Sequence, residues 1–418
     1  MFLQTKFIKL LLKECVKKCG VDNMNFVFLI TGLALVFLIG FAISSDKKHI
    51  RYKSIAKLFV LQMIISFLSL HTSGGISTLK QISNFFSWLM LQAAGGVDFV
   101  FGGWMIKPGG SVFFLSVLMP IVFISALIGI LNYIKVLPFI IKWTGWVINK
   151  ISGMGELESY FAVSTAILGQ PEVFLTVRKQ IAKLDEKRLY TICASAMSAV
   201  SAAMLASYMK MIPGKFVVVA VFLNILSSLI ISSIVNPYEP VANDELVEVT
   251  DDEEKETFFQ MLGNYITDGF NLAIAVGAML IGFIALVTFL NNSFTALIHI
   301  SFTEIIGYIF APVAYIMGVP SHDIVKVGSV MATKLITNEF VAMGSLHGMA
   351  SSLSAKSNAI ISAYLVSFAN FGTIGIITGS IKSISKKQGA YVAKFSMKLL
   401  LGATLASVLT GTIVGFYF

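Results

Sequence analysis

The sequence predicts an all-α polytopic membrane protein with about eight membrane-spanning helices, two re-entrant helical hairpins and further helices at the membrane interface. Three observations predict this fold: few charges, many separate apolar runs, and two apolar regions that polar residues interrupt. Only 13% of the 418 residues are charged and 56% are hydrophobic, whereas a soluble domain carries about 25% charged residues. We therefore expect a multi-pass protein of the cell membrane.

Eight apolar runs are candidate spans, because a hydrocarbon core of about 30 Å requires about 20 helical residues. In chain order they cover residues 26–43, 58–70, 112–134, 189–209, 216–235, 270–290, 359–381 and 399–418. The run at 58–70 is short, but Lys57 can extend its side chain to the interface. Two shorter apolar segments, 82–91 and 136–148, contain tryptophan and are typical of interfacial helices.

Residues 158–182 and 305–343 are apolar but do not fit simple spans. Gly-Gln-Pro-Glu at 169–172 interrupts the first region, and Gly-Val-Pro at 318–320, Lys334 and Asn338-Glu339 interrupt the second. Backbone at membrane depth must be covered by protein or line a water-filled cavity, so each break predicts a re-entrant hairpin. Two helices follow each hairpin. The placement of Lys and Arg predicts that the two hairpins enter the membrane from opposite sides. This order predicts an inverted repeat with a binding site near the membrane midplane.

Glu172 and Glu339 are the leading site candidates, because ionisable residues inside apolar segments are costly and usually functional. Each lies beside a carboxamide, Gln170 in the first break and Asn338 in the second. A third polar stretch, 367–373, interrupts a predicted span and indicates unwound backbone that faces a cavity. The small residues at 194–207 fit close helix packing and, equally well, cation coordination that involves Ser198.

The chemistry of these residues favours a neutral solute that has hydroxyl groups and a ring. No Arg lies among them, so an anionic substrate would lack its usual partner. Carboxylates accept hydrogen bonds from hydroxyl groups, carboxamides pair with nucleobase edges, and Phe368 can stack on a planar ring. These properties fit a nucleoside, a free nucleobase or a sugar.

Other functional classes have little support in the sequence. The five His residues are scattered, and no HExxH or GxSxG pattern suggests an intramembrane hydrolase, so no enzyme activity is expected. Cys15, Cys19 and Cys193 lack the partner pair of a zinc site. No basic patch interleaved with aromatic residues indicates a nucleic-acid partner.

Several segments together resemble the concentrative nucleoside transporter family, specifically its bacterial NupC-type branch. They are FISALIG at 123–129, GQPE at 169–172, GAMLIGFI at 277–284, TNEFVA at 337–342 and SFAN at 367–370. The resemblance implies a homotrimer that imports nucleosides by cation symport. It also implies a transport domain that crosses the membrane as a unit against a fixed scaffold, as an elevator does.

The resemblance implies a role for each candidate residue. Gln170 would contact the base, Phe368 would pack on it, and Met204 would line its side of the pocket. Glu339 and Asn370 would bind ribose hydroxyls, and Thr373 stands where the family has a Ser that contacts ribose. Glu172 would bind ribose or organise the hairpin tip.

The coupling ion is expected to be a proton rather than sodium, and no other cofactor is implied. In sodium-coupled members of the family, an Asn five residues before the Gln and a Thr directly after it help to bind sodium. Thr165 and Pro171 occupy those positions here, and Pro171 offers neither a hydroxyl nor an amide hydrogen. The candidate coupling residues are Glu172, Glu339, Thr165 and Ser198.

The same resemblance divides the chain into five parts. Residues 1–23 are a basic extension that carries five lysines, and 24–150 hold scaffold helices 1–3 with interfacial helices. Residues 151–256 hold the first hairpin, helices 4–5 and an acidic cytoplasmic loop; 257–300 hold scaffold helix 6, and 301–418 hold the second hairpin with helices 7–8. The extension is either an amphipathic surface helix or an untranslated stretch before a start at Met24, and we favour the second interpretation.

Overall fold

The computed structural model describes residues 23–101, 112–240 and 257–418, and these ranges contain helices but no strand. The first eleven helices are α1 (Asn23–Ala42), α2 (Tyr52–His71), α3 (Ser73–Phe101), α4 (Pro120–Tyr133), α5 (Val136–Ser152), α6 (Glu156–Ser164), α7 (Gln170–Thr176), α8 (Arg178–Ile181), α9 (Glu186–Ser198), α10 (Ala202–Met211) and α11 (Gly214–Val235). The remaining seven are α12 (Phe258–Ile298), α13 (Phe302–Ile316), α14 (Ile324–Ile336), α15 (Glu339–Met349), α16 (Ala355–Leu365), α17 (Phe371–Ile384) and α18 (Lys386–Phe416). A π-helical turn, Phe114–Leu118, leads into α4.

Seven segments of the described ranges are long and apolar enough to cross a membrane. They are Met24–Ala42, Tyr52–His71, Phe114–Tyr133, Glu186–Met211, Gly214–Val235, Phe258–Ile298 and Lys386–Phe416. The eighth predicted span, 359–381, is divided between α16 and α17, which are separated by non-helical residues at 366–370. The segment Glu186–Met211 is also interrupted, between α9 and α10.

Burial separates the spans into an inner and an outer group. In Glu186–Met211, 94% of the most apolar stretch is buried, and the share is 89% in both Gly214–Val235 and Lys386–Phe416. In α1, α2 and α12 the share is only 22%, as expected for helices whose apolar side chains face lipid. The inner group therefore forms the core of the molecule.

Two successive units of the chain share one order of elements. A pair of helices joined at a sharp break, which we call a hairpin, comes first. A broken helix follows, and then a long helix. These are α6/α7, α9/α10 and α11 in the first unit, and α14/α15, α16/α17 and α18 in the second. This order agrees with the predicted repeat, whereas insertion from opposite membrane faces stays a prediction.

The second hairpin is shorter than the sequence predicts. Residues 305–343 form three helices, because the chain turns between α13 and α14 before it reaches the hairpin itself. Gly318 has a φ of +94°, which favours glycine, and Pro320 follows two residues later. Helix α13 packs along α14, and the hairpin break lies at 337–338.

The two units interlock through their hairpins. Helix α7, the second arm of the first hairpin, packs against α17 of the second unit. Helix α15, the second arm of the second hairpin, packs against α10 of the first unit. Each hairpin therefore touches the second half of the other unit's broken helix, and the candidate residues lie around these crossings.

Helices α1 and α2 pack directly on the long helices of the two units. A Cβ atom at Gly32 would lie 2.5 Å from the side chain of Thr412, so α1 and α18 approach closely. Gln62 of α2 is fully buried and donates to the carbonyl oxygen of Leu223 at 2.8 Å and to the hydroxyl of Ser227 at 2.7 Å. Packing thus places α1 and α2 beside α18 and α11, and the division into scaffold and transport parts stays a prediction.

The predicted interfacial segments lie within α3 and α5. Trp88, Trp143 and Trp146 are each at least half exposed, which suits an interfacial position. Most of the predicted basic extension (residues 1–22) and the acidic segment 244–256 lie outside the described residues.

Candidate functional site

The tip of the first hairpin, residues 165–169, lies against the break between α9 and α10. Nε2 of Gln170 donates to the carbonyl oxygen of Ala196, 2.9 Å away on α9. The backbone N–H of Ala202 on α10 donates to the carbonyl oxygen of Ile167 at 3.2 Å. These two bonds hold the tip against both sides of the break. A Gln side chain has two amide hydrogens and an accepting oxygen, so its bond to α9 uses only part of this capacity.

Glu172 organises the start of α7. Its Oε2 accepts from the backbone N–H of Gly169, the residue directly before the helix, at 3.2 Å. The same carboxylate is half-buried and lines a cavity of about 30 Å³ with Ser201, Tyr265 and Asp268. A cavity of this size holds about one or two water molecules, so it does not accommodate a nucleoside in this arrangement.

Glu339 joins the second hairpin to both broken helices. It is the first residue of α15 and is only 4% exposed. Its Oε1 accepts from the hydroxyl of Tyr208 on α10 at 2.9 Å. Its Oε2 accepts from Nδ2 of Asn370, at the start of α17, at 3.3 Å. Both carboxylate oxygens are therefore held by neutral donors from different elements.

Asn370 extends this cluster to Thr373. Its Oδ1 accepts from the backbone N–H of Thr373 at 2.9 Å and from the Thr373 hydroxyl at 3.2 Å. The first bond is an N-cap, which satisfies one of the unpaired amides at the start of α17. The structure thus brings Glu339, Asn370 and Thr373 together, and their roles toward a substrate stay predictions.

Helix α10 runs between the two candidate carboxylates. Ala203 lines the small cavity beside Glu172, and Tyr208, five residues further along, binds Glu339. Five residues of α-helix span about 7.5 Å, which separates the two contacts along α10. Met204 is buried on this helix one turn before Tyr208. Glu339 does not line the cavity beside Glu172, and a pocket shared by the two carboxylates stays a prediction.

Phe368 lies in the non-helical segment 366–370 and is partly buried. It is two residues before Asn370, so the break in the α16–α17 helix carries both residues. A larger groove of about 630 Å³ between α1, α13, α14, α17 and α18 is almost entirely apolar. None of the candidate residues lines that groove.

Two of the candidate coupling residues, Thr165 and Ser198, lie at the first hairpin tip and at the end of α9 beside the break. The Thr165 hydroxyl donates to the carbonyl oxygen of Ala162 at 2.8 Å. Ser195 and Ser198, in the last turn of α9, are fully buried, and within the described ranges their hydroxyls have no hydrogen-bond partner. Burying a hydroxyl without a hydrogen-bond partner is costly. These two unpaired hydroxyls lie directly beside the break.

Sequence reasoning missed the roles of three residues. Tyr208 lies near the end of a predicted span, where a Tyr usually marks the interface, and nothing in the sequence indicated that its hydroxyl would bind Glu339. Asp268 lies just before the predicted span 270–290, but α12 begins at Phe258 and carries Asp268 into the cavity beside Glu172. Lys334 was noted only as an interruption, whereas in the structure it is fully buried.

Three family models match consecutive parts of the chain. The N-terminal and C-terminal models of the Na+ dependent nucleoside transporter match residues 31–104 and 216–415. A model described as nucleoside recognition matches residues 114–215, which include the first hairpin and the α9–α10 helix. The matches therefore extend over nearly the whole described chain.

Relatives and solved structures agree with these matches. The purine nucleoside transport protein NupG of Bacillus subtilis is 35% identical over 396 residues, which are 94% of this chain and 100% of that protein. The nucleoside permease NupC of Helicobacter pylori is 27% identical, over 94% of this chain and 97% of that protein. A structure of CNTnw in an inward-facing substrate-bound state matches with a TM-score of 0.90 and 28% identity, over 95% of this chain and 98% of that one. A CNTnw structure in an outward-facing state matches equally well, with a TM-score of 0.90.

These relatives are transporters and permeases, not enzymes. Together with the seven apolar segments, the matches establish a multi-pass integral protein of the cell membrane. The identity to NupG, over nearly the full length of both proteins, shows the family directly. The chain belongs to the concentrative nucleoside transporter family.

Proposed function

We propose that the protein is a secondary active nucleoside importer that couples uptake to the entry of a cation. The buried cluster of Glu339, Tyr208, Asn370 and Thr373 carries this proposal, because it joins elements from both units around acceptors for hydroxyl groups. Membership in a family of nucleoside transporters supports it.

The ribose would bind at the second hairpin and the base at the first. Glu339 would accept hydrogen bonds from the ribose hydroxyls, and Asn370 would both donate to them and accept from them. Thr373 would lie beside these two residues. Gln170 would read the edge of the base, while Phe368 would pack on its face and Met204 would line that side. Glu172 holds the first hairpin tip and would approach the ribose when the cavity that it lines with Ser201 and Asp268 widens.

The substrate is tested by competition in cells that express the protein. Labelled adenosine and labelled uridine are both supplied, because one relative is named a purine nucleoside transport protein while the site residues do not choose between base types. Excess unlabelled nucleoside should abolish uptake, whereas free ribose and free nucleobase should not. Equal inhibition by a free nucleobase or by ribose would replace the nucleoside with that solute.

We infer that protons rather than sodium drive uptake. Thr165 and Pro171 replace the Asn and Thr that support sodium binding in sodium-coupled members, and Glu172 and Glu339 are carboxylates that can carry a proton. Sodium is the alternative, because Thr165, Ser195 and Ser198 supply hydroxyl oxygens beside the first break and the matching family model is described as Na+ dependent.

The coupling ion is identified in proteoliposomes with imposed gradients. An inward pH gradient without sodium should drive nucleoside accumulation, and a sodium gradient at equal pH should not. Accumulation that requires the sodium gradient and ignores the pH gradient would identify sodium as the coupling ion instead.

The same proposal includes an elevator motion in a homotrimer. The two interlocked units would move together, because each hairpin packs on the other unit's broken helix. The trimer would hold the scaffold fixed, and cross-linking followed by mass measurement in detergent would report the number of subunits.

A further inference from the structure

Lys334 is a fully buried lysine at the junction of three helices. It lies in the last turn of α14 and has no exposed surface. Its Nζ donates to the carbonyl oxygen of Tyr364 at 2.7 Å, to the hydroxyl of Ser367 at 2.6 Å and to the hydroxyl of Ser407 at 3.2 Å. The ammonium also lies 4.4 Å from the centre of the Tyr364 ring. Burying a charge is costly unless it is well paired, so this arrangement calls for a specific role.

The ammonium lies where a helix end attracts positive charge. Helix α16 ends at Leu365, and the last carbonyl groups of a helix lack partners within it and carry partial negative charge. Lys334 satisfies the carbonyl of Tyr364, and Nδ2 of Asn224 satisfies the carbonyl of Val366. Two side chains from outside the broken helix therefore fix the start of its break.

The bonds of Lys334 extend into the break itself. Ser367, which accepts from Lys334, also shares a hydrogen bond of 2.8 Å with Ser407 on α18. Ser367 directly precedes Phe368, and Asn370 follows two residues later. The position of this ammonium thus sets the backbone that carries two of the candidate substrate contacts.

The first unit has a related arrangement with a neutral donor. Gln170 and Glu339 each begin the second arm of a hairpin. In the first unit the donor to the last turn of the following helix is the Gln170 amide, which reaches Ala196. In the second unit the donor is Lys334, which lies five residues before Glu339. In the first unit, Thr165 lies five residues before Gln170. The second unit therefore has a lysine at the position where the first unit has a threonine hydroxyl.

We propose that Lys334 is a positioning residue whose ammonium acts as a tethered cation and holds the break at 366–370 in the shape that presents Phe368 and Asn370 to the nucleoside. The role toward substrate rests on the proposed function, whereas the role in shaping the break does not. The charge of Lys334, and not only its volume, is what the break requires.

The first test removes the charge and keeps the length of the side chain. Lys334→Met should weaken equilibrium binding of a nucleoside to the purified protein by at least about tenfold, since a charge-assisted hydrogen bond alone contributes that much. Lys326→Met is the matched control, because Lys326 is exposed on the same helix and reaches Ser352; its affinity should stay within about twofold of the wild type. Wild-type affinity in Lys334→Met would overturn the proposal.

The second test separates charge from volume. Lys334→Ala should regain nucleoside affinity and thermal stability when n-propylammonium, which matches the missing atoms, is added. n-Propanol, which has similar size and no charge, should restore neither. Equal rescue by both compounds, or by neither, would show that the ammonium is not the required feature.

A third comparison applies even where no Lys334 variant folds. Ser367→Ala removes an acceptor of Lys334 and should weaken nucleoside binding about tenfold, whereas Ser362→Ala should not, because the buried Ser362 hydroxyl has no partner in the described chain. Equal affinities in the two variants would contradict the proposal.

A wild-type protein that binds no nucleoside would refute the proposed function alone. The rescue of thermal stability by n-propylammonium in Lys334→Ala would still decide the role of Lys334.

Discussion

At the scale of single residues, Glu339 is the point where the two units meet. Its carboxylate accepts from Tyr208 of the first unit and from Asn370 of the second. A hydrogen bond to a charged group contributes about 1.5–3 kcal/mol, and a carboxylate can accept further bonds from a ligand. The residue therefore links the two units, and in the proposed function the same carboxylate also accepts from ribose.

Glu339→Gln is expected to reduce nucleoside uptake to background while the protein still inserts into the membrane. The amide has the same size, but it cannot accept at both ends or carry a proton. Transport by equal amounts of surface protein is the measurement. Glu304→Gln is the control, because Glu304 is exposed in the first turn of α13. Uptake at the wild-type level in Glu339→Gln would remove this residue from the site.

Tyr208→Phe removes one donor to Glu339 and is expected to weaken nucleoside affinity by about 10–100-fold, from the 1.5–3 kcal/mol of a bond to a charged group. Titration calorimetry gives the affinity. Tyr190→Phe is a matched control: Tyr190 is equally buried, and its hydroxyl donates to the carbonyl oxygen of Lys398 at 3.2 Å. Similar losses in both variants would indicate general destabilisation instead.

Phe368→Ala is expected to weaken nucleoside binding by about 1–3 kcal/mol if the ring stacks on the base, by analogy with aromatic stacking on bases. Phe371→Ala is the comparison, since Phe371 is 46% exposed and lines the apolar groove. Affinities measured for both variants decide the point, and an unchanged affinity in Phe368→Ala would place the base elsewhere.

At the scale of elements, the two broken helices differ in how visible they are in the sequence. The break at 366–370 was predicted, because Asn370 and the glycines after it interrupt an apolar run. The break at 199–201 was not, because Ala199, Val200 and Ser201 are compatible with a continuous helix. That break depends on a tertiary contact, the bond from the Ala202 N–H to Ile167 on the hairpin tip, which local sequence does not encode.

The site residues likewise divide into those that the sequence predicted and those that it did not. The cluster of Glu339, Asn370 and Thr373 could be anticipated, because polar residues are conspicuous in apolar surroundings and the family resemblance aligns them. Tyr208 and Lys334 act through contacts with residues distant in the chain, so their partners follow only from the packing of helices. The turn at Gly318 likewise shifted the start of the second hairpin from 305 to 324.

Packing of α13 on α14 gives a prediction for stability. A Cβ atom at Gly328 would lie 2.5 Å from the carbonyl oxygen of Gly307 and 3.0 Å from the backbone nitrogen of Ala311. Gly328→Ala should therefore push the two helices apart and lower the thermal unfolding midpoint by several degrees. Gly379→Ala, where a Cβ atom meets nothing within 4 Å, should not lower it. A Gly328→Ala protein as stable as the wild type would show that α13 moves away at little cost.

At the scale of the whole molecule, the proposed elevator motion would slide the interlocked units past α4. The Ser207 hydroxyl on α10 donates at 2.6 Å to the carbonyl oxygen of Val117, in the π-helical turn before α4. This contact lies across the boundary that an elevator motion would cross. It must therefore break in each transport cycle if the proposed motion occurs.

A disulfide between Val117→Cys and Ser207→Cys, with the native cysteines replaced by Ser, should stop uptake when oxidised and release it when reduced. Ser227→Cys with Thr410→Cys is the control, because these hydroxyls lie 2.9 Å apart on α11 and α18, within the proposed moving unit, and should tolerate the link. Uptake and the fraction of linked protein are measured together. Full activity in a completely linked 117–207 protein would exclude the sliding motion.

The crossed packing of the two hairpins also bears on how the chain is made. Helix α7 packs against α17, which is synthesised much later. Tyr208 on α10 donates to Glu339 on α15, which is also synthesised later. While the ribosome is still translating the second unit, α7 and the hydroxyl of Tyr208 are therefore without their final neighbours. The first unit therefore reaches its final packing only after the C-terminal third of the chain has emerged.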